Sequence, residues 1–182
     1  MNRGWVRDKE RIERCYRSFY KIMIIPSKNG DGIITTCGDN MFRTENKVIV
    51  REGIKSAWNS PQFKFQRRLI SRGDWSFCRG ACCVFDPFRR EDKFLDNLDV
   101  KSALADKKDS LDYGPKTISI ISSHACNNDC YSCYHVFKKN DREQYRLKDS
   151  LIKEIEETLI PSAENVIISG GEPFFAKESI GL

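Results

Sequence analysis

Three cysteines, Cys126, Cys130 and Cys133, crowd into eight residues, and their C-x3-C-x2-C spacing constrains the chain more than any other feature. The flanking sequence says where that loop sits. Before it, Thr117–Ser122 is a short apolar run with three isoleucines, suited to a buried parallel strand. After it, Leu147, Leu151, Ile155 and Leu159 recur every fourth residue with Ile152 beside them, which predicts an amphipathic helix that Pro161 ends. Val166–Ile168 then reads as a second buried strand, running into Gly170-Gly171-Glu172-Pro173. Strand, helix, strand in this order predicts a right-handed βαβ unit with the cysteines at its first βα junction.

Thiolates are soft ligands matched to iron–sulfur clusters, and three at this spacing can converge on one cubane. Three ligands on a four-iron cluster leave one iron open to a substrate or cofactor, whereas a fully ligated cluster only moves electrons. The competing reading is a structural zinc knuckle with His124 or His135 as fourth ligand. Zinc sites usually pair two C-x2-C knuckles, and this loop holds one. A βα loop also suits a cofactor better than a structural staple.

Composition narrows the setting. No apolar stretch follows the charged amino terminus, so a secretory signal is not expected. The longest apolar runs, such as Ile22–Ile25 and Ile118–Ile121, are far too short to span a bilayer. A soluble, cytoplasmic protein is expected, with no membrane partner. In a reducing compartment eight cysteines argue for metal or redox chemistry rather than disulfides. They fall in two groups, Cys15, Cys37, Cys78, Cys82 and Cys83 against the later three, which suggests two sites. Residues 1–90 hold 19 Lys and Arg against 9 Asp and Glu, a balance of +10, while the remainder carries −5. The cations are scattered, so they read as a solvated face, and a nucleic-acid partner is not expected. A basic surface that docks an acidic electron donor is the weaker alternative.

The amino-terminal half predicts a small α+β module. A short helix is expected over residues 6–17, and strands over Tyr20–Ile25 and Gly32–Cys37 flank a hairpin turn at Ser27-Lys-Asn-Gly-Asp-Gly32. Helices are expected over 51–59 and 61–71, with Pro61 at a first-turn position and Phe63, Phe65, Leu69 and Ile70 as packing face. The cysteine-rich stretch that follows reads as irregular chain. Residues 1–90 are thus taken as one module, 91–115 as a linker with a helix near 99–107, and 116–182 as an incomplete α/β domain. A lone βαβ unit leaves a sheet edge and an apolar face uncovered, so the sequence is read as the first part of a longer protein.

Joined as strand, Cys126-Asn-Asn-Asp-Cys130-Tyr-Ser-Cys133, helix, strand and Gly170-Gly-Glu-Pro173, residues 116–182 resemble the radical S-adenosylmethionine (SAM) superfamily. The resemblance implies the start of a partial (β/α) barrel, with Cys126, Cys130 and Cys133 holding a [4Fe–4S] cluster. SAM would chelate the fourth iron, and its reductive cleavage would give a 5′-deoxyadenosyl radical that abstracts hydrogen from a substrate. Gly170, Gly171, Glu172 and Pro173 would line the SAM site. Ser132 stands where the family usually has an aromatic residue. The change is mild if that position meets adenine through its backbone; if ring packing matters, Tyr131 or Tyr134 must substitute. A reducing donor such as a flavodoxin or ferredoxin is implied. The incomplete chain by itself is not expected to turn over a substrate.

The string Asp31-Gly-Ile-Ile-Thr-Thr-Cys37, with Trp58-Asn-Ser, Arg67-Arg68 and the later cysteines, resembles SPASM-type auxiliary cluster modules. By that resemblance Cys37, Cys78 and Cys82 are ligands of an auxiliary [4Fe–4S] cluster, with Cys15 the fourth and Cys83 an alternative to Cys82. Relatives of this type often modify peptides, so a peptide substrate is implied. Trp58, Arg67 and Arg68 read more simply as packing and surface charge. The alternative to the enzyme is a non-catalytic zinc- or iron–sulfur-binding module, a remnant of such an enzyme.

Overall fold

A computed structural model of the chain describes residues 16–37, 47–74, 76, 96–128, 130, 131, 133, 144–180 and 182. The helix expected over 6–17 lies outside these residues except at its end, as do Cys15, Cys78, Cys82, Cys83, Ser132, Tyr134 and His135. The fold is α/β and built on one mixed sheet of five strands in the order β3-β2-β1-β4-β5.

The hairpin forms where the Asn-Gly step predicts it. Strand β1 (Lys21–Pro26) pairs antiparallel with β2 (Gly32–Thr35), Pro26 opposite Gly32. The turn closes through Ser27 N–H to Asp31 O at 2.9 Å and Gly30 N–H to Ser27 O at 3.0 Å, with Gly30 at φ +79°. Strand β3 (Val48–Ile49) adds to the outside of β2. On its other side β1 runs parallel to β4 (Thr117–Ile121), Lys21 opposite Thr117. Residues on either side of the expected linker therefore share one sheet.

Helix α1 (Ile54–Trp58) leads at once into α2 (Pro61–Ile70), whose first turn is capped by Ser60 Oγ accepting from Phe63 N–H. The buried face of α2 differs from the expected one. Phe63 and Ile70 are buried as predicted and Leu69 is half-buried, but Phe65 is 53% exposed. Its place is taken by Gln66 and Arg67, and Arg67, read above as surface charge, has no exposed area. A buried guanidinium persists only if its donors are spent. Arg67 donates to the carbonyls of Ser18 (2.8 Å), Trp58 (2.9 Å) and Asp109 (2.9 Å) and to Asn59 Oδ1 (3.1 Å). It also lies over the Trp58 ring, 4.3 Å from the centroid.

Those acceptors bring the 96–115 stretch into the core. Asn59 pairs with the Leu111 backbone as a peptide unit would, donating to its carbonyl at 2.8 Å and accepting from its N–H at 2.9 Å. Helix α3 (Leu98–Ala105), capped by Asn97, buries Val100 and Ala103, and Leu111 joins the same core. These groups pack with Ile22, Ile24, Ile34, Ile118 and Ile120 of the sheet.

Helix α4 (Asp149–Glu154) continues as a wide π turn over Ile155–Leu159 and a tight turn over Ile160–Ser162. Pro161 has no N–H to extend the ladder. The four predicted residues are buried, but only Leu151, Ile155 and Leu159 lie on the helix; Leu147 precedes it, its N–H bonded to Ser122 O. Strand β5 (Asn165–Ser169) returns parallel to β4 with Ile121 level with Ser169. It corrects the expectation of a second buried strand. Among the described residues it is an edge strand paired with β4 alone, and Val166 and Ile167 are 38% and 49% exposed.

Candidate metal centre

Parallel strands β4 and β5 end side by side, so the loops that follow them leave the sheet together. In α/β sheets this carboxyl edge is where ligands bind. The first loop carries the cysteines. Its base is clamped by a short antiparallel ladder: Leu147 N–H donates to Ser122 O at 2.8 Å, Ser123 bridges Arg146, and His124 N–H donates to Tyr145 O at 2.9 Å. The His124 ring stacks on Tyr145 with centroids 5.3 Å apart. These contacts give His124 a structural part at the loop base. Tyr145 and Arg146 were not foreseen, because a two-residue ladder between loop ends leaves no periodic signal.

The second loop locks beneath the first. Gly171 N–H donates to Ser123 O at 3.1 Å and Glu172 N–H to Ala125 O at 2.9 Å. A Cβ on Gly171 would lie 2.0 Å from the Ala125 carbonyl oxygen, and one on Gly170 would lie 2.4 Å from that of Ser123. Glycine is needed at both positions for the close approach of two backbones. The approach in this structure is to the cysteine loop itself. The Glu172 carboxylate spans the junction: one oxygen accepts from Phe174 N–H at 3.2 Å and the other from the Asn128 side-chain amide at 3.2 Å. Glu172 thus caps its own turn and holds the loop between the first two cysteines. Pro173 is half-buried in that turn.

Cys126 and Cys133 are half-buried and Cys130 is exposed. The Cys126 sulfur accepts an N–H from Asn128 at 3.3 Å, and Cys133 N–H turns back to Cys130 O at 3.1 Å. Among the described residues no three His, Cys, Asp or Glu side chains converge closely enough to hold a metal ion. The donor set nonetheless fits an iron–sulfur cluster: three thiols on one clamped loop, one of them already accepting a backbone N–H of the kind that tunes cluster sulfurs. In such loops the metal's own binding energy gathers the ligands.

Cys37 lies elsewhere. It follows β2, which runs antiparallel to β1, so it sits level with the start of β1 at the opposite edge of the sheet. Strand β4 alone separates the two edges by roughly 13 Å at about 3.3 Å per residue. Cys37 is buried, and its sulfur accepts from Arg17 Nη1 at 3.9 Å. Its expected co-ligands Cys15, Cys78 and Cys82 lie outside the described residues, as does Ser132 of the SAM site. No helix among the described residues is long and apolar enough to cross a membrane.

No curated protein and no solved structure matches the chain. Residues 114–181, the span from just before β4 to the helix beyond the glycine turn, match the family model described as a 4Fe-4S single cluster domain. That likeness indicates an iron–sulfur-binding domain in this segment and supports a [4Fe–4S] cluster as its metal centre.

Proposed function

We propose that the chain carries the opening segment of a radical SAM enzyme, with Cys126, Cys130 and Cys133 as three ligands of a SAM-binding [4Fe–4S] cluster. One observation carries the reading. The three-cysteine loop and the Gly170–Pro173 turn leave adjacent parallel strands at one edge and are cross-tied there by Gly171, Glu172 and Asn128. A three-thiolate set leaves one iron available, and when bound the cluster supplies the electron that cleaves SAM.

The chain's own residues position and shield. Glu172 holds the cysteine loop through Asn128, and the paired glycines bring a bare backbone under that loop. Tyr131 and Phe174, fully and 90% exposed, stand on the two loops as apolar groups ready to be covered by a bound ligand. Strands β4 and β5 would open a partial (β/α) barrel, and the segment around Cys37 would belong to a SPASM-like module with an auxiliary cluster. A peptide substrate and a flavodoxin- or ferredoxin-type donor complete the proposal.

The test is spectroscopic, because it does not need turnover. The anaerobically reconstituted chain is reduced, and its electron paramagnetic resonance spectrum is recorded with and without SAM. A [4Fe–4S] signal that changes on adding SAM is expected, and Cys130→Ala should remove that signal while leaving iron bound at the amino-terminal site. A reduced cluster indifferent to SAM would leave the non-catalytic iron–sulfur module standing. A colourless protein holding zinc alone would refute both.

A further inference from the structure

Beside the cysteine loop the β1–β2 turn and the segment entering α4 enclose a cleft of about 800 Å³, within the range of small-molecule sites. Among the described residues four cationic side chains line it, Lys28, Arg146, Lys148 and Lys177, against the single carboxylate of Asp149. They come from three separate stretches of chain: the hairpin turn, the returning limb of the cysteine loop, and the start of the last helix, α5 (Lys177–Ile180). Tertiary structure, not a charge run, gathers them.

The frame of the cleft is fixed by the backbone. Lys148 N–H donates to Gly30 O at 3.0 Å, and Lys148 Nζ pairs with Asp31 at 2.7 Å. That pair spends the charge of Lys148. Among the described residues Lys28 and Lys177 make no ion pair. Like charges gathered at a concavity focus their field into it and raise the local concentration of an opposite charge. The cations gather at one open cleft rather than along a run of the chain, which suits a compact ligand better than a nucleic-acid backbone.

We infer that this cleft binds a small, multiply charged oxyanion, a phosphate ester or a polycarboxylate, next to the cysteine loop. Lys28 and Lys177 supply the charge, and Arg146, whose residue bridges Ser123, couples the site to the loop base. None of the lining residues is a cysteine ligand or part of the Gly170–Pro173 turn, so the inference does not depend on the cluster binding SAM.

Calorimetric titration of the full chain with inorganic pyrophosphate, and separately with citrate, tests it. Saturable binding of one ion per chain is expected, and a preference for one probe assigns the phosphate or the carboxylate class. The double variant Lys28→Ala/Lys177→Ala, with an unchanged circular dichroism spectrum, should weaken binding by about tenfold. The double variant Lys101→Ala/Lys153→Ala removes the same charge outside the cleft and should change it by less than about twofold. The Cys130→Ala chain should bind as the parent does, which separates this site from the cluster. Non-saturable binding, equal losses in the two double variants, or tighter binding of a duplex oligonucleotide that displaces pyrophosphate would overturn the inference.

Discussion

Gly171→Ala probes the contact on which the candidate site is built. Gly171 is not among the positive-φ residues, so alanine meets no backbone penalty there and any cost must come from contact. Its Cβ would stand 2.0 Å from the Ala125 carbonyl oxygen and 2.5 Å from that of His124, both of them backbone atoms rather than the ends of flexible side chains. To restore even a 3.0 Å separation the turn must retreat by about 1 Å, which carries the Gly171 and Glu172 hydrogen bonds, now 3.1 and 2.9 Å, out of range. The Asn128–Glu172 bond goes with them. Three hydrogen bonds at about 1 kcal/mol each, less up to ~1 kcal/mol from a stiffer unfolded chain, leave a loss of about 2 kcal/mol. Urea unfolding should show that loss, and thermal unfolding a fall of about 4–8 °C. Gly114→Ala is the control: its Cβ would meet only the Ser162 hydroxyl at 3.0 Å, a side chain that can rotate away. If Gly171→Ala is as stable as Gly114→Ala to within about 0.5 kcal/mol, the two loops do not approach as described and the reasoning fails.

Three further outcomes follow from the packing. Phe63→Ala should cost about 3–5 kcal/mol in urea unfolding because the ring is fully buried, while Phe65→Ala two residues on should stay within about 0.5 kcal/mol. Arg67→Lys should destabilise by about 2–4 kcal/mol, since one ammonium cannot reach four acceptors; a neutral result would place the guanidinium outside the core. Burial raises the pKa of the Tyr113 phenol above its ordinary range, with Arg67 opposing and Asp99 and Asp112 adding to the rise. Its contribution to stability is complete below about pH 10 and is lost as pH climbs beyond, because the unfolded chain then releases the proton first. Urea midpoints at pH 8 and pH 11 should therefore converge in Tyr113→Phe relative to the parent.

Local pattern carried much of this fold. The Asn-Gly step placed the hairpin, Ser60-Pro61 started α2, and the four-residue recurrence from Leu147 to Leu159 marked the helix that returns the chain to β5. Each is a short-range effect: turn geometry, a capping oxygen, one buried stripe. The cysteine spacing likewise singled out the candidate metal loop without any structure. The same means misjudged Phe65 and Arg67, because hydrophobicity alone assigned the inner face, and a guanidinium that places four hydrogen bonds and stacks on Trp58 can take that place from a ring. They also took β5 as buried, since an apolar run does not reveal whether a strand has one neighbour or two.

What the sequence alone determined is the existence of the hairpin, the βαβ unit and a three-thiol loop at its junction, all set by contacts between near neighbours in the chain. Only the tertiary structure decided that β1 lies beside β4, that the paired glycines pass under the cysteine loop, and that Lys28 and Lys177 face one cleft. The reason is physical: these depend on pairings between residues tens of positions apart, whose free energy comes from shared burial and leaves no repeat or motif at either partner.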